Sequence, residues 1–180
     1  MVVYGARHPR ARSVSRALLA LAARETWGLE ALPELETGER GKPFFPENPE
    51  RQFNLSHSGE LLVCALDGAP VGVDIQQERA VRDSLAVRVC GGGEREWLRR
   101  RGDSPQAFAL LWSLKESRCK QSGEGLRLPV SGLRVPLPEG GGRRLELDGL
   151  YFYMRTGPGW ALSLCGTGEW DGEIRWRELE

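Results

Sequence analysis

A chain of 180 residues, 40% of them apolar and 28% charged, can bury a real core but is too short for several large domains. Formal net charge is zero, so nothing global favours nucleic acid or an anionic membrane as a partner. The four cysteines (Cys64, Cys90, Cys119, Cys165) form no Cys-x-x-Cys pair, which predicts reduced thiols over zinc ligation, and no run approaches the roughly 18 apolar residues of a membrane span. Arginines follow Met1–Gly5 where a signal peptide would place apolar residues, so a cytoplasmic protein is the expectation.

In chain order, Val2–Tyr4 reads as a short opening strand and Arg12–Trp27 as a helix with an apolar stripe at Leu18, Leu21 and Ala22, stopped by Gly28. The stretch from Pro33 to Arg51 is a polar loop. Strands follow at Phe53–Leu55 and Leu61–Leu66. After the turn Asp67–Pro70, Val71–Ile75 is a returning strand. Side chains alternate along it, so Val71, Val73 and Ile75 share an apolar face, while Gly72, Asp74 and Gln76 share the other. Residues 79–104 predict a short helix and a loop near Gly91–Gly93. The strongest helix is Pro105–Ser122, with Phe108, Leu111, Trp112 and Cys119 on one stripe and Gly123 and Gly125 beyond its end. Strands are expected again at Arg143–Leu147, Leu150–Arg155 and Trp160–Leu164. Gly59–Leu66 and Gly159–Gly166 are weakly alike. The expected fold class is therefore α+β, with two similar halves, each a helix packed on a small antiparallel sheet. The halves would be residues 1–75 and 76–180 of one bilobed unit.

Only three of the 25 lysines and arginines are lysine, and all three fall in two short stretches suited to phosphate. Lys42 lies in Arg40-Gly41-Lys42-Pro43. Lys115 and Lys120 lie in the long helix, with Glu116 between them. Ser56-His57-Ser58-Gly59 offers two hydroxyls, an imidazole and turn amides, a reasonable anion cradle. Asp74 and Glu116 come from separate elements. Brought together without a partner they would repel by about 4 kcal/mol at 4 Å in a medium of effective dielectric near 20. A magnesium ion removes that cost, since it takes one or two carboxylates plus waters and substrate phosphates. Each part has a plain alternative. Glu116 and Lys120 fit an i,i+4 ion pair of about 0.2–0.5 kcal/mol. Asp74 read alone is a solvated strand residue, and His57 a structural or surface histidine. No Gly-x-Ser-x-Gly elbow supports a serine hydrolase, and no phosphate-binding glycine loop supports a nucleotidase or a dinucleotide site. Glu94–Arg101 interleaves acids with arginines, which suits a solvated face or a docking surface better than a nucleic-acid patch.

Taken in order and spacing, these pieces resemble the 4′-phosphopantetheinyl transferases, specifically the surfactin-type branch. The resemblance runs from Gly41 to about Leu128. It rests on Gly-Lys-Pro-Phe-Phe-Pro (41–46), Phe-Asn-Leu-Ser-His-Ser-Gly (53–59), Val-Gly-Val-Asp-Ile (71–75), Leu-Trp-Ser-Leu-Lys-Glu-Ser-x-x-Lys-Gln (111–121) and Gly-Glu-Gly-Leu (123–126). It implies that the 4′-phosphopantetheine arm of coenzyme A is moved to a serine of an apo acyl, peptidyl or aryl carrier protein, with release of 3′,5′-ADP. It also implies a monomer with its active site between two α+β halves. By position, Asp74 and Glu116 would hold Mg2+, and Glu116 would also serve as general base. Lys120 would contact the pyrophosphate and the leaving phosphate. Gly41, Lys42, Ser56 and His57 would bind the nucleotide end of coenzyme A, with Arg12 or a neighbour near the 3′-phosphate.

The chain departs from the family pattern in two ways. Asp74-Ile75-Gln76 stands where many relatives have Asp-x-Glu, so Gln76 can offer the metal an amide oxygen, directly or through water, but no charge. The segment before Lys42 is also short for the branch. An alternative reading follows from Gln76: a protein that binds coenzyme A or carriers with weak or no turnover.

Overall fold

The computed structural model describes residues 1–125, 129–140 and 143–179. Leu126, which closes the last of the sequence motifs, lies outside these residues. In chain order the elements are β1 (Val2–Arg7), α1 (Ser15–Trp27), β2 (Glu36–Thr37), β3 (Pro43–Phe44), β4 (Gln52–Ser58), β5 (Leu61–Asp67), β6 (Gly72–Gln77), α2 (Asp83–Val89), α3 (Glu94–Arg99), α4 (Pro105–Ser122), a 3-10 turn (Val130–Gly132), β7 (Arg144–Leu147), β8 (Leu150–Gly157), β9 (Trp160–Gly166) and β10 (Ile174–Trp176). Helix α4 has the bounds its local signals predict. Ser104 caps it by accepting from Ala107 N at 3.2 Å, Pro105 opens it, and Gly123 ends it in the left-handed conformation at φ 71°. Among the described residues no helix is long and apolar enough to cross a membrane.

Two four-stranded sheets, ordered β10-β1-β5-β4 and β6-β9-β8-β7, carry the α+β fold. Pairing is antiparallel throughout both, except that β10 runs parallel to β1. Three apolar layers hold the stack. Leu18, Leu19, Ala22 and Ala23 of α1 cover one face of the first sheet at Tyr4, Ala6, Leu62 and Cys64. Val3, Val63 and Ala65 meet Val73, Ile75, Leu162 and Leu164 between the sheets. Phe108, Leu111 and Leu114 of α4, with Trp97 and Leu98 of α3, cover Phe152, Met154 and Cys165 on the far face of the second sheet.

Sheet membership does not follow a division of the chain at 75/76. Strand β6 crosses that point and lies wholly in the second sheet, while β10 returns from the C-terminal part to the first. The reason for the first difference is the β5–β6 turn. It is followed by a strand that pairs with β9 and never returns beside β5. The alternation predicted for β6 holds, because Val73 and Ile75 face the intersheet core. Its other face is not open to solvent, however. Helix α4 covers it, and Asp74 is 2% exposed.

Candidate active site

The site begins with how closely α4 approaches β6. A Cβ at Gly72 would meet Ser117 O at 2.0 Å and Gln121 N at 2.4 Å, so glycine alone lets the helix backbone lie on the strand. That approach sets Lys120 over Asp74, the next residue of β6 on the same face. Lys120 Nζ donates to Asp74 Oδ1 at 2.6 Å, to Ser56 Oγ at 3.0 Å and to Val73 O at 3.3 Å. Ser56 Oγ in turn donates to Asp74 Oδ1 at 2.7 Å, and Gln76 Nε2 donates to Asp74 Oδ2 at 2.7 Å. Three elements, β4, β6 and α4, thus converge on one buried carboxylate.

Glu116, one turn before Lys120, completes the group. The expected i,i+4 ion pair is not formed, because Lys120 spends its ammonium on Asp74. Among the described residues the half-buried Glu116 carboxylate has no ion pair or hydrogen-bond donor. Its pKa is raised, first by burial and second by the Asp74 charge, with Lys120 opposing. Glu116 thus stands near enough to Asp74 for their charges to interact.

The nucleotide-end residues are distributed differently. Gly41 and Lys42 line a cavity of about 250 Å³ together with Asn54, Glu116 and Lys120. The Lys42 ammonium is already occupied: it donates to Lys120 O at 2.7 Å, Val71 O at 3.2 Å and Gln121 O at 3.3 Å. It thereby ties the end of α4 to the approach of β6. Burial lowers its pKa. Ser56 and Ser58 do not sit in a turn. They belong to β4, which ends at Ser58 before the Gly59–Glu60 turn, and Ser56 is buried against Asp74. His57 points from the opposite face of the strand and is exposed. Partial desolvation of the ring where the strand covers it lowers its pKa first, then the charges of Arg12 and Lys120, against a smaller pull from Asp74. Arg12, just before α1, is thus close enough to His57 for their charges to interact.

Lys115 departs from the phosphate-binding reading of its stretch. Its side chain is fully buried, pairs with Glu94 Oε2 at 2.8 Å, and donates to Val130 O at 2.8 Å and Leu133 O at 2.9 Å. An ammonium with that many buried partners is a strut between α4, α3 and the 3-10 turn. Arg40 and Asn54 also line the site cavity and escaped the sequence reading. Arg40 lies next to the Gly-Lys-Pro motif, and Asn54 inside the Asn-Leu-Ser-His-Ser motif.

Among the described residues no group of three or more His, Cys, Asp or Glu side chains stands ready for a metal. The donor set still fits a hard divalent ion. It offers two carboxylates and the Gln76 amide, all oxygen ligands, and magnesium fills its remaining positions with water and substrate phosphate. Among the described residues Lys120 is ion-paired with Asp74 and not with Glu116. Larger concavities, of about 680 and 780 Å³, lie beside Trp97 and beside Trp176, but neither is lined by paired carboxylates.

A family model described as the 4′-phosphopantetheinyl transferase superfamily matches residues 70–165, from the approach of β6 to β9, and includes Asp74, Glu116 and Lys120. The chain belongs to this superfamily. Curated transferases align with it. 4′-Phosphopantetheinyl transferase Sfp of Bacillus subtilis (strain 168) is 36% identical over 138 residues, covering 73% of this chain and 62% of Sfp. The transferase psf-1 of Bacillus pumilus is 36% identical over 114 residues, covering 62% of this chain and 49% of psf-1. AcpT of Salmonella typhimurium is 41% identical over 101 residues, covering 53% of this chain and 52% of AcpT. The surfactin-type branch is thus represented among the relatives, and the chain spans 59–62% of the length of its Bacillus subtilis transferase relatives.

Proposed function

We propose that this chain transfers the 4′-phosphopantetheine arm of coenzyme A to a serine of an apo acyl, peptidyl or aryl carrier protein, releasing 3′,5′-ADP. The observation that carries the reading is the meeting of Asp74, Glu116 and Lys120 beside the cavity that Gly41 and Lys42 line.

Phosphoryl transfer depends mainly on positioning and on neutralising charge at the phosphate oxygens. Asp74 and Glu116 would hold Mg2+, with Gln76 turning its amide oxygen to the ion or to a water on it. When bound, the ion supplies charge neutralisation at the pyrophosphate. Glu116 takes the proton of the incoming serine hydroxyl, directly or through a water, a role favoured by a carboxyl whose affinity for protons is raised. The serine oxygen bonds to the β-phosphorus as the bridging oxygen leaves on 3′,5′-ADP. Lys120, giving up its long contact with Val73 O, would donate to that leaving phosphate, and charge-assisted hydrogen bonds of this kind contribute about 1.5–3 kcal/mol each. Gly41, Lys42, Ser56, His57 and Arg12 are assigned to the nucleotide end. Lys42 can line it with its stem, which passes Gly123, while its ammonium stays on the three carbonyls.

For carrier docking, the sequence favours the region from Arg82 to Arg101. The C-terminal arginines of that region are engaged internally: Arg95 with Asp103 and Asp83, Arg99 with Glu96, and Arg100 with Glu139. Helix α2 is the better candidate. Leu85 is 43% and Val87 68% exposed there, beside Arg82 and Arg88, which have no ion pair among the described residues. An acidic carrier suits that face. We further place the protein in the cytoplasm, a reading supported by four free thiols, and take it as a monomer from the resemblance alone.

Incubation with coenzyme A, Mg2+ and a panel of apo carriers tests the proposal. A mass gain of one phosphopantetheine on a carrier is the expected result. Tight coenzyme A binding with no modified carrier would instead favour the non-transferring alternative that Gln76 suggests.

A further inference from the structure

Strand β6 carries Asp74 and is the edge of its sheet. Its N–H groups at even positions face β9. Those at odd positions face β4, the edge of the other sheet, with which it forms no backbone ladder. Buried donors of this kind need acceptors. They find them in side chains of β4, in matched period. Val73 N donates to Asn54 Oδ1 at 2.9 Å, Ile75 N to Ser56 Oγ at 3.3 Å, and Gln77 N to Ser58 Oγ at 3.0 Å. Three alternate side chains of one strand thus substitute for the missing backbone partners of the other.

Ser56 has a second task, since it also bonds Asp74 and Lys120. Asn54 and Ser58 hold the strand on either side of it. Val73 is fully buried and Asn54 is 5% exposed, so water offers the Val73 N–H no substitute if Asn54 loses its amide. We propose that Asn54 and Ser58 are positioning residues of the transfer reaction. By pinning both flanks of β6 to β4 they fix Asp74 beneath Lys120 and against Glu116. The proposal rests on the transferase reading above. It adds a function for Asn54, to which the sequence assigns none, and for Ser58, which the sequence presents only as part of a possible anion cradle.

The test uses the intact protein and four variants: Ser58→Ala, Ser58→Thr, Asn54→Ala and Asn54→Asp. Coenzyme A, Mg2+ and an apo carrier that the wild type modifies give kcat and both KM values. Hydrogen exchange resolved at Val73 and Gln77 reads the strand without reference to activity. Ser58→Ala should speed exchange at Gln77 and lower kcat several-fold, with the KM for carrier within about twofold. Asn54→Ala should do the same at Val73 and lower kcat about tenfold, as a displacement of well under the 1 Å that costs about 10²-fold would. Ser58→Thr keeps the hydroxyl and should restore both readouts, and Asn54→Asp keeps an acceptor and should restore protection at Val73. Variants that melt earlier yet keep the wild-type kcat overturn the role and leave a purely structural seam. Variants that raise only the KM for coenzyme A, with exchange unchanged, overturn it in favour of direct ligand contact. Should Asn54→Ala fail to fold, the Ser58 pair decides alone. A wild type that modifies no carrier removes the transferase reading itself, an outcome separate from an active wild type whose variants are equally active.

Discussion

Lys120 Nζ lies 2.6 Å from Asp74 Oδ1, joining the long helix to the edge strand of the second sheet through a carboxylate that is 2% exposed. Removing the ammonium leaves that carboxylate buried beside Glu116 with only Ser56 and Gln76 as neutral donors. Lys120→Ala should therefore be folded but less stable. The Lys120 side chain is 26% exposed, so the loss should fall below the about 3–5 kcal/mol of a fully buried pair. Asp74→Asn in the same chain removes the stranded charge and should restore most of the melting temperature. Neither the single nor the double variant should transfer phosphopantetheine at a useful rate. If the double variant melts no higher than Lys120→Ala, the pairing is not the source of the instability.

Glu116 carries a cost that function explains and stability does not. Its folded-state pKa lies above the ordinary value of 4.5, because burial and Asp74 disfavour the anion. In the window from 4.5 up to the raised value, the native protein binds more protons than the unfolded chain. Stability therefore falls as pH rises through that window, and at neutral pH the penalty is fully present. Glu116→Gln removes it. The variant should melt above wild type at pH 7–8, with the difference shrinking toward pH 4.5, while turnover falls by orders of magnitude. Thermal melts across pH check the sign; a variant that melts lower at neutral pH would mean that Glu116 has a stabilising partner.

Much of this arrangement was legible in the sequence, and the remainder was not, for physical reasons. Helix α4 could be read to its ends because its start and stop signals, Pro105 and Gly123, are local. The facing of β6 could be read because period two is a property of the strand itself. Motif order then brought Asp74, Glu116 and Lys120 together by resemblance. The partners of the three lysines could not be read. An ammonium bonds equally well to phosphate or to carbonyls, and only packing shows that Lys42 caps the end of α4 and Lys115 is buried on Glu94. Ser56-His57-Ser58 looks like a turn by composition, yet it is a strand whose hydroxyls replace a backbone ladder. Strand β10 is three residues long and pairs in parallel with a strand far away in sequence, so no local pattern announces it.

Gln76 donates its amide to Asp74 Oδ2 at 2.7 Å, a contact that a carboxylate could not make. Gln76→Glu sets a second anion against Asp74 and makes three carboxylates with Glu116. Without a divalent ion the variant should melt lower than wild type. With Mg2+ it should gain more melting temperature than wild type does, and its half-maximal rate should come at a lower Mg2+ concentration. Titrations of rate and of melting temperature against Mg2+ follow both effects. An unchanged or higher requirement would show that position 76 does not reach the ion.

His57 and Arg12 give a readout of the nucleotide end. The pKa of His57 is lowered by burial and by the charges of Arg12 and Lys120. With its folded-state value depressed below 6.5, His57 contributes stability above that pH and loses it as pH falls through the window below. Arg12→Ala removes one of the two cationic causes and should raise the His57 value in an NMR titration. An added phosphate ligand should raise it in wild type too, and less so in Arg12→Ala if Arg12 helps to hold the anion. A His57 titration indifferent to both changes would separate this residue from the phosphate.

Gly72 tests the geometry on which the rest depends. Any β-carbon there would sit 2.0 Å from Ser117 O and 2.4 Å from Gln121 N, both backbone atoms of α4 that no rotamer change can move. Gly72→Ala must therefore push the helix away from the strand, at a cost in the range of about 1–3 kcal/mol typical of overpacking. Lys120 leaves α4 between these two contact points, so the same displacement lengthens its reach to Asp74. Turnover should fall far more than the modest loss of stability predicts, with the KM for carrier least affected. A folded Gly72→Ala with wild-type kcat would mean that the close approach of α4 and β6 does not set the chemistry.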